Sequence, residues 1–448
     1  MTSTEPLPWR FAMDRALYGP DGFFVSGPGP AAHFRTSVHA SPVFASCLLR
    51  LLTSLDSALG HPVPFDVVDV GAGRGELLRS LSVAVGVSGE PARSGRSGLI
   101  PPRAGSPETL TTTAAVRPSP SLARPVSAGS SPAAPVPLAE RVRLIAVEKS
   151  ARPDDLPAEI EWVDEIPQGV TGLLVATEWL DNVPLDLAVY TPGSWRYLLV
   201  DPTTGEESTG DPVDAEDADW LDLWWPLAAS DATRSTTEGF RAARPAEGSS
   251  LTARSRSGRP EPPTRTSGRP EPPTRTSGRP EPPAGASGRP EPPTGARAEI
   301  GRTRDEAWAA AVAHLDRGLA LAVDYGHLRA DRPVDGTLTG YRGGRQVAPV
   351  PDGSCDITAH VAIDSVASAG ERVARCAYTL VSQREALRAL GADGGRPPLS
   401  LASRDPAGYV RALADASVVA ELTDPAGLGG HWWLRQPVGL THDPLVAR

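Results

Sequence analysis

Residues 67–78 read Val67-Val68-Asp69-Val70-Gly71-Ala72-Gly73-Arg74-Gly75-Glu76-Leu77-Leu78. An apolar run ends in a glycine-rich turn, and leucines at helical spacing follow at once. The run PFDVVDV (64–70) predicts a strand and GELLRSLSVAV (75–85) a helix. A glycine turn between the two lets backbone approach a ligand, and the helix start offers free N–H groups to an anion. Such loops hold nucleotide-type ligands, and a carboxylate after the next strand commonly holds the ribose. Here the chain runs instead into SGEPARSGRSGLIPPRAGSPETLTTT (88–113), which has no strand pattern.

The missing strand resumes later. Residues 88–138 are mostly Ser, Pro, Gly, Ala and Arg, too poor in large apolar groups to offset the entropy of ordering. They are expected to form a disordered insertion, which a surface loop tolerates because closure cost grows slowly with length. RVRLIAVEKS (141–150) is then the next strand, and Glu148 at its end is the candidate ribose ligand; the alternative is an ordinary Glu after a strand. IEWVD (160–164) ends in Asp164, a candidate on the adenine side, or else a solvated turn residue or helix cap. GLLVATEWLD (172–181) is a further strand-to-turn unit. Strands alternating with helices predict a parallel α/β sheet.

Composition narrows the function. The chain has 448 residues and a net charge of −10, and an acidic balance argues against a nucleic-acid binder. Lys149 is the only lysine, which we read as coding bias. Cys47, Cys355 and Cys376 have no paired spacing, and the histidines show no ligand pattern, so neither a disulfide framework nor a metal site is expected. The start MTSTEPLPWRF lacks the pattern of a signal peptide, and no apolar run reads as long enough to cross a bilayer. A soluble cytoplasmic protein is the expectation.

Along the chain, WRFAMDRALY and SPVFASCLLRLLTSLDSAL read as helices, the second with Ser41 as N-cap and Pro42 in the first turn. A second break, 230–298, holds four decapeptides of the form SGRPEPPTRT over 257–296. The repeat has no apolar residue larger than proline to stack, so it reads as an extended spacer. RDEAWAAAVAHLDRGL (304–319) then predicts a helix and ALAVDYG (320–326) a strand. SQREALRALG and PAGYVRALADA predict helices, and GHWWLRQPV closes the chain. The expected organisation is 1–87, helical segment and start of the core; 88–138, insertion; 139–229, core continued; 230–298, linker; and 299–448, the remainder of one domain.

The dinucleotide pattern G-x-G-x-x-G needs a third glycine where Glu76 stands, which makes a dehydrogenase a poor reading. With Asp69 upstream, the stretch looks like motif I of class I S-adenosylmethionine (SAM) methyltransferases. Further segments resemble the MidA-type branch of that class, which includes mitochondrial arginine methyltransferases that assist complex I assembly. They are FAMDRALYGPDGFF (11–24), HFRTSVHASPVFA (33–45), Glu178-Trp179-Leu180-Asp181-Asn182-Val183-Pro184, Val323-Asp324-Tyr325-Gly326, GTLTGY (336–341) and DITAHV (356–361). The resemblance covers most of the chain outside the two insertions. The family's Gly-Asp-Phe-x-Thr-Ser-Pro-Glu stands here as Ala32-His33-Phe34-Arg35-Thr36-Ser37-Val38-His39, without its acids, and Thr177 replaces a common Asn.

The resemblance implies a Rossmann-like class I methyltransferase fold and SAM as cofactor, bound by Asp69, Gly71, Gly73, Gly75, Glu148 and Asp164. It implies a protein acceptor, with arginine the candidate residue. A guanidinium acceptor needs carboxylates to orient it bidentately and accept its proton. Glu178 and Asp181 fit that role, or else cap a helix or brace a loop. Asp324 and Tyr325 end a neighbouring strand and are expected to line the acceptor pocket, or else to hydrogen-bond within a turn. His360 reads as a buried structural histidine, and Trp432-Trp433 as core or edge-strand packing. The competing function is a non-catalytic assembly factor that keeps the fold.

Overall fold

The computed structural model describes residues 5–26, 42–87, 135–226, 292–392, 394–441 and 443–445. Residues 88–134 of the expected insertion, the linker as far as residue 291, Ser41 and the 32–39 stretch lie outside the described residues.

Seven segments rich in Val, Leu and Ala form the principal sheet. In chain order they are Phe65–Val70, Val142–Val147, Ile160–Val163, Val170–Thr177, Leu315–Asp324, Thr379–Ser382 and Trp432–Val438. Numbered one to seven in that order, they lie across the sheet as 3-2-1-4-5-7-6. Strands one to five are mutually parallel, and Trp432–Val438 runs antiparallel to both its neighbours. Strands covered on both faces carry continuous apolar runs. Alternate residues supply two cores. Phe65, Val67, Leu173, Val175 and Leu321 join one, with apolar residues of helices Pro42–Leu59 and Glu76–Val85. Val68, Leu174, Ala176 and Ala320 join the other, with those of Arg302–Ala313 and Ile363–Ala374. This is the expected Rossmann-like α/β fold.

The strand order reverses between Phe65–Val70 and Val170–Thr177, and open α/β sheets bind ligands in the crevice at such a point. Val70 faces Val147 on one side and Ala176 on the other, so loops 71–75, 148–150 and 177–182 emerge side by side.

A second layer stands over this edge. Leu7–Pro8, Asp186–Thr191, Ser194–Val200, Glu207–Pro212 and Arg297–Ile300 make an antiparallel sheet, and Thr339–Arg342, Arg345–Val347 and Asp356–Thr358 a smaller one. With helix Trp9–Tyr18 they share a core that includes Trp9, Met13, Leu17, Leu187 and Ile357.

Three local readings change, and that of Trp432-Trp433 narrows to the core. The helix expected over 304–319 stops at Ala313, and Leu315–Leu319 are strand. Pairing to Val170–Leu173 wins there, and Gly318 permits it: its φ is 151°, and a Cβ would fall 1.9 Å from the Gly172 carbonyl oxygen. The linker gives up Arg297 and Ala298, which pair with Val189 and Ala188. The Trp432–Val438 strand is interior to the sheet, with Trp433 buried edge-on to Phe44 at 6.0 Å. Helix Pro42–Leu59 is, against expectation, long and apolar enough to cross a membrane by length and composition. Its Leu48, Leu51, Leu52 and Leu55 are instead buried in the core.

Candidate functional site

The turn after the first strand is shaped by its glycines. Gly71, Gly73 and Gly75 have φ of 70°, 59° and 81°, a region that side chains disfavour. At Gly71 a Cβ would also lie 2.9 Å from Cδ1 of Trp179. Gly71 and Gly73 line a cavity of about 1150 Å³ that spans the strand-order reversal. Gly75 is not on its wall. It starts helix Glu76–Val85 and packs beneath Leu156, whose Cδ1 would be 2.7 Å from a Cβ.

Asp69 also faces the cavity. It is buried, and its Oδ1 has no hydrogen-bond partner among the described residues. Burial, then the Glu76 and Glu148 carboxylates, hold its pKa well above the ordinary range. An unpaired buried carboxylate is costly unless a cation meets it. Glu148 closes the loop from the neighbouring strand: its Oε2 accepts from Gly73 N at 2.9 Å, and its Oε1 from Lys149 N at 2.8 Å and Ser150 N at 3.2 Å. Asp164, exposed, stands at the far end of the wall. A nest of backbone turns with a buried carboxylate at one end and a bonded carboxylate at the other fits a ligand bearing an ammonium and vicinal hydroxyls, as SAM does.

The opposite wall is the turn after Val170–Thr177. Glu178 takes φ 51°, left-handed for a non-glycine residue, and its N–H donates to the Val323 carbonyl at 2.8 Å. It lines the cavity, and His431 Nδ1 lies 4.0 Å from its Oε1. Asp181 is buried on the same wall. Its Oδ2 accepts from Thr358 Oγ1 at 2.7 Å and from the Tyr325 hydroxyl, whereas its Oδ1 has no partner among the described residues.

Asp324 and Tyr325 do not line the cavity, contrary to expectation. Asp324 Oδ2 accepts from Leu180 N at 3.0 Å and Asp181 N at 3.3 Å, and Oδ1 accepts from Tyr325 N at 2.9 Å. A strand end with two free backbone N–H groups next door draws the carboxylate inward to satisfy them. Both residues therefore stand behind Asp181. His360 differs too: the residue is exposed, its ring edge-on to that of Tyr325 at 5.1 Å and its backbone N–H donating to Thr337 Oγ1 at 2.8 Å.

Sequence reasoning missed the group that binds this wall together. Arg304 is buried, and its guanidinium donates to the carbonyls of Asp181 (2.5 Å), Val183 (3.1 Å), Ala359 (2.9 Å) and His360 (3.1 Å). Its positive charge offsets those of Asp181 and Asp324, both raised in pKa first by burial. Asn182 donates to Asp356 Oδ1 at 2.8 Å and to the Ile357 carbonyl at 3.1 Å. Burial, then the Asp181 charge, push Asp356 up to about 8. Tyr18, from the N-terminal helix, donates to the Asn182 carbonyl at 3.3 Å and lines the cavity with Asp14 and Phe24. Arg304 sits in the first turn of its helix, between Thr303 and Asp305, with no motif around it; Tyr18 lies within the 11–24 segment, its only signal.

Comparisons with known proteins bear on the fold and the family. No curated protein matches the chain by sequence. Among solved structures, a crystal structure from Burkholderia thailandensis, described as a "likely methyl transferase" bound to S-adenosyl-homocysteine, aligns with TM-score 0.61. The match has 20% identity over 98% of this chain and 90% of that one. A native crystal structure of an uncharacterized protein from the same organism aligns with TM-score 0.59 and 19% identity, over 99% and 90%. At that identity the likeness shows the fold. A family model described as "Putative S-adenosyl-L-methionine-dependent methyltransferase" matches residues 136–380, more than half the chain and wholly beyond the glycine loop. The chain thus belongs to this family of SAM-dependent methyltransferases.

Proposed function

We propose that the chain is a class I enzyme that transfers a methyl group from SAM to a protein side chain, with arginine the residue its carboxylates suit. One observation carries the reading. Two aspartates that line one cavity, Asp69 beside the glycine loop and Asp181 near Glu178, each keep a buried Oδ1 without a partner among the described residues. The first suits the ammonium of a cofactor, the second a cationic acceptor.

SAM supplies the methyl as a sulfonium that a nitrogen lone pair can displace in line. The remaining work falls to this chain. Asp69 pairs with the ammonium, Gly71 and Gly73 admit the ligand to the backbone, Glu148 accepts from ribose hydroxyls, and Asp164 stands on the adenine side. Gly75 sets the start of the helix rather than touching the ligand. Glu178 and Asp181 align the planar guanidinium through charge-assisted hydrogen bonds. As the N–C bond forms and the S–C bond breaks, one of the two takes the proton the nitrogen must lose. Asp324 and Tyr325 hold Asp181 at the angle this needs.

The test is transfer of labelled methyl from SAM into proteins of a cell lysate, with mass spectrometry of the modified residue, for wild type and Glu178→Ala. Label on arginine, lost at least a hundredfold in the variant, is the expected result. Label on another residue type removes arginine. SAM binding with no label in any protein replaces the enzyme by a non-catalytic assembly factor.

A further inference from the structure

Strand order fixes what stands beside what along the carboxyl edge of the sheet. Ile160–Val163 is followed by Asp164, Val142–Val147 by Glu148, Phe65–Val70 by Gly71, and Val170–Thr177 by Glu178 and Trp179. All of these line one cavity. Under the reading above, the adenosine half of SAM lies toward Asp164 and Glu148, and the amino-acid half is tied to Asp69. The sulfur joins the two halves, so bound SAM would place it near the glycine loop, with its methyl toward the side of the cavity that Glu178 and Asp181 line.

Between the loop and those carboxylates stands one indole. Trp179 Cδ1, Cγ and Cβ lie 2.9, 3.3 and 3.4 Å from where a Cβ on Gly71 would be, so the ring is seated on loop backbone rather than free to swing. Trp179 also packs against the core that includes Leu180 and Ala176. It is only partly buried, and it lines the cavity.

We propose that Trp179 recognises the positive charge of the sulfonium and so makes the site prefer SAM to S-adenosylhomocysteine, whose sulfur is neutral. The two ligands share every other group and differ by one methyl and one charge. Backbone contacts, Asp69 and Glu148 meet groups common to both ligands, which leaves Trp179, Glu178 and Asp181 to meet the added charge. A ring face can, since its quadrupole attracts a cation and is indifferent to a thioether, the more so where water is displaced. The preference matters because the product would otherwise hold the site as firmly as the cofactor. The proposal rests on the SAM reading of this cavity.

The test is calorimetric titration of the full chain with SAM and, separately, with S-adenosylhomocysteine, for wild type, Trp179→Phe and Trp179→Leu. The readout is the ratio of the two dissociation constants, which cancels any general loosening of the site. Removing the ring is expected to shift that ratio toward S-adenosylhomocysteine about fivefold or more, and phenylalanine, a weaker cation receptor, about twofold. An unchanged ratio in Trp179→Leu overturns the proposal. Should that variant bind neither ligand, Trp179→Phe decides by the same ratio, and loss of both ligands there assigns the indole to site shape instead. Wild type that binds neither ligand removes the SAM reading itself; wild type that binds both, with every ratio equal, removes only the role of Trp179.

Discussion

On the glycine-loop side of the cavity, residues 69–74, 76 and 77 line the wall from one turn, with residues 147–151 and 164–166 added at the ends of the next two strands. On the other side Asp181 is fixed by Thr358 and Tyr325, its backbone by Asp324 and Arg304, and its neighbour Asn182 by Asp356. One wall is made of backbone conformation, the other of side chains gathered from four distant segments. The first can be altered piecemeal. The second holds buried charges in balance, so that removing one member leaves the others unpaired.

The sharpest way to break this contrast is Arg304→Met. Four carbonyls lose their donor and two buried carboxylates their counter-charge, so stability should fall by about 3 kcal/mol or more. Chemical denaturation measures this; a loss below about 1 kcal/mol would mean the wall is not held collectively.

Asp69→Asn tests the opposite wall and should leave the fold intact, because an unpaired buried carboxylate is removed. SAM affinity is expected to fall about tenfold, or about 1.4 kcal/mol. In wild type, burial and the Glu76 and Glu148 charges raise the Asp69 pKa, and an ammonium needs the ionised form. Affinity should therefore rise with pH above the ordinary carboxylate range, and the variant should lose that slope. Titration calorimetry across pH reads both.

The smallest effect concerns Asp356. Its folded pKa, about 8, lies above that of an unfolded aspartate, so as pH rises the unfolded chain sheds its proton first. The stability of the neutral folded form is complete below the ordinary carboxylate range and is lost progressively up to about pH 8. Asp356→Asn keeps an acceptor for Asn182 and cannot ionise. It should flatten that decline and recover on the order of 1 kcal/mol at pH 8. A decline as steep as wild type's would place the titrating group elsewhere.

The two walls were not equally legible in the sequence. Asp69 and the glycines announce themselves because a turn needs certain residue types at fixed spacing, and Glu148 follows once the strand beyond 88–138 is found. Glu178 and Asp181 could be named from a strand end and a family-like motif. That Asp324 and Tyr325 stand behind Asp181 could not, because a strand end shows that a side chain reaches the edge but not which way it turns. Arg304 was invisible, since its partners are carbonyl oxygens, which no sequence distinguishes. The error at 315–319 has a similar source. Helical spacing continued through those residues, and only the Gly172–Gly318 approach between strands far apart in the chain decides them.

Glu178 deserves a final consequence. It occupies a left-handed conformation that costs an L-residue roughly 1–2 kcal/mol and glycine almost nothing. A selection for thermal endurance alone would drift toward glycine at this position and erase a carboxylate from the residues that line the cavity. Heat resistance and methyl transfer, if Glu178 serves the acceptor as proposed, pull this one codon in opposite directions. Any programme that hardens the protein must therefore hold position 178 fixed and look for its gains elsewhere.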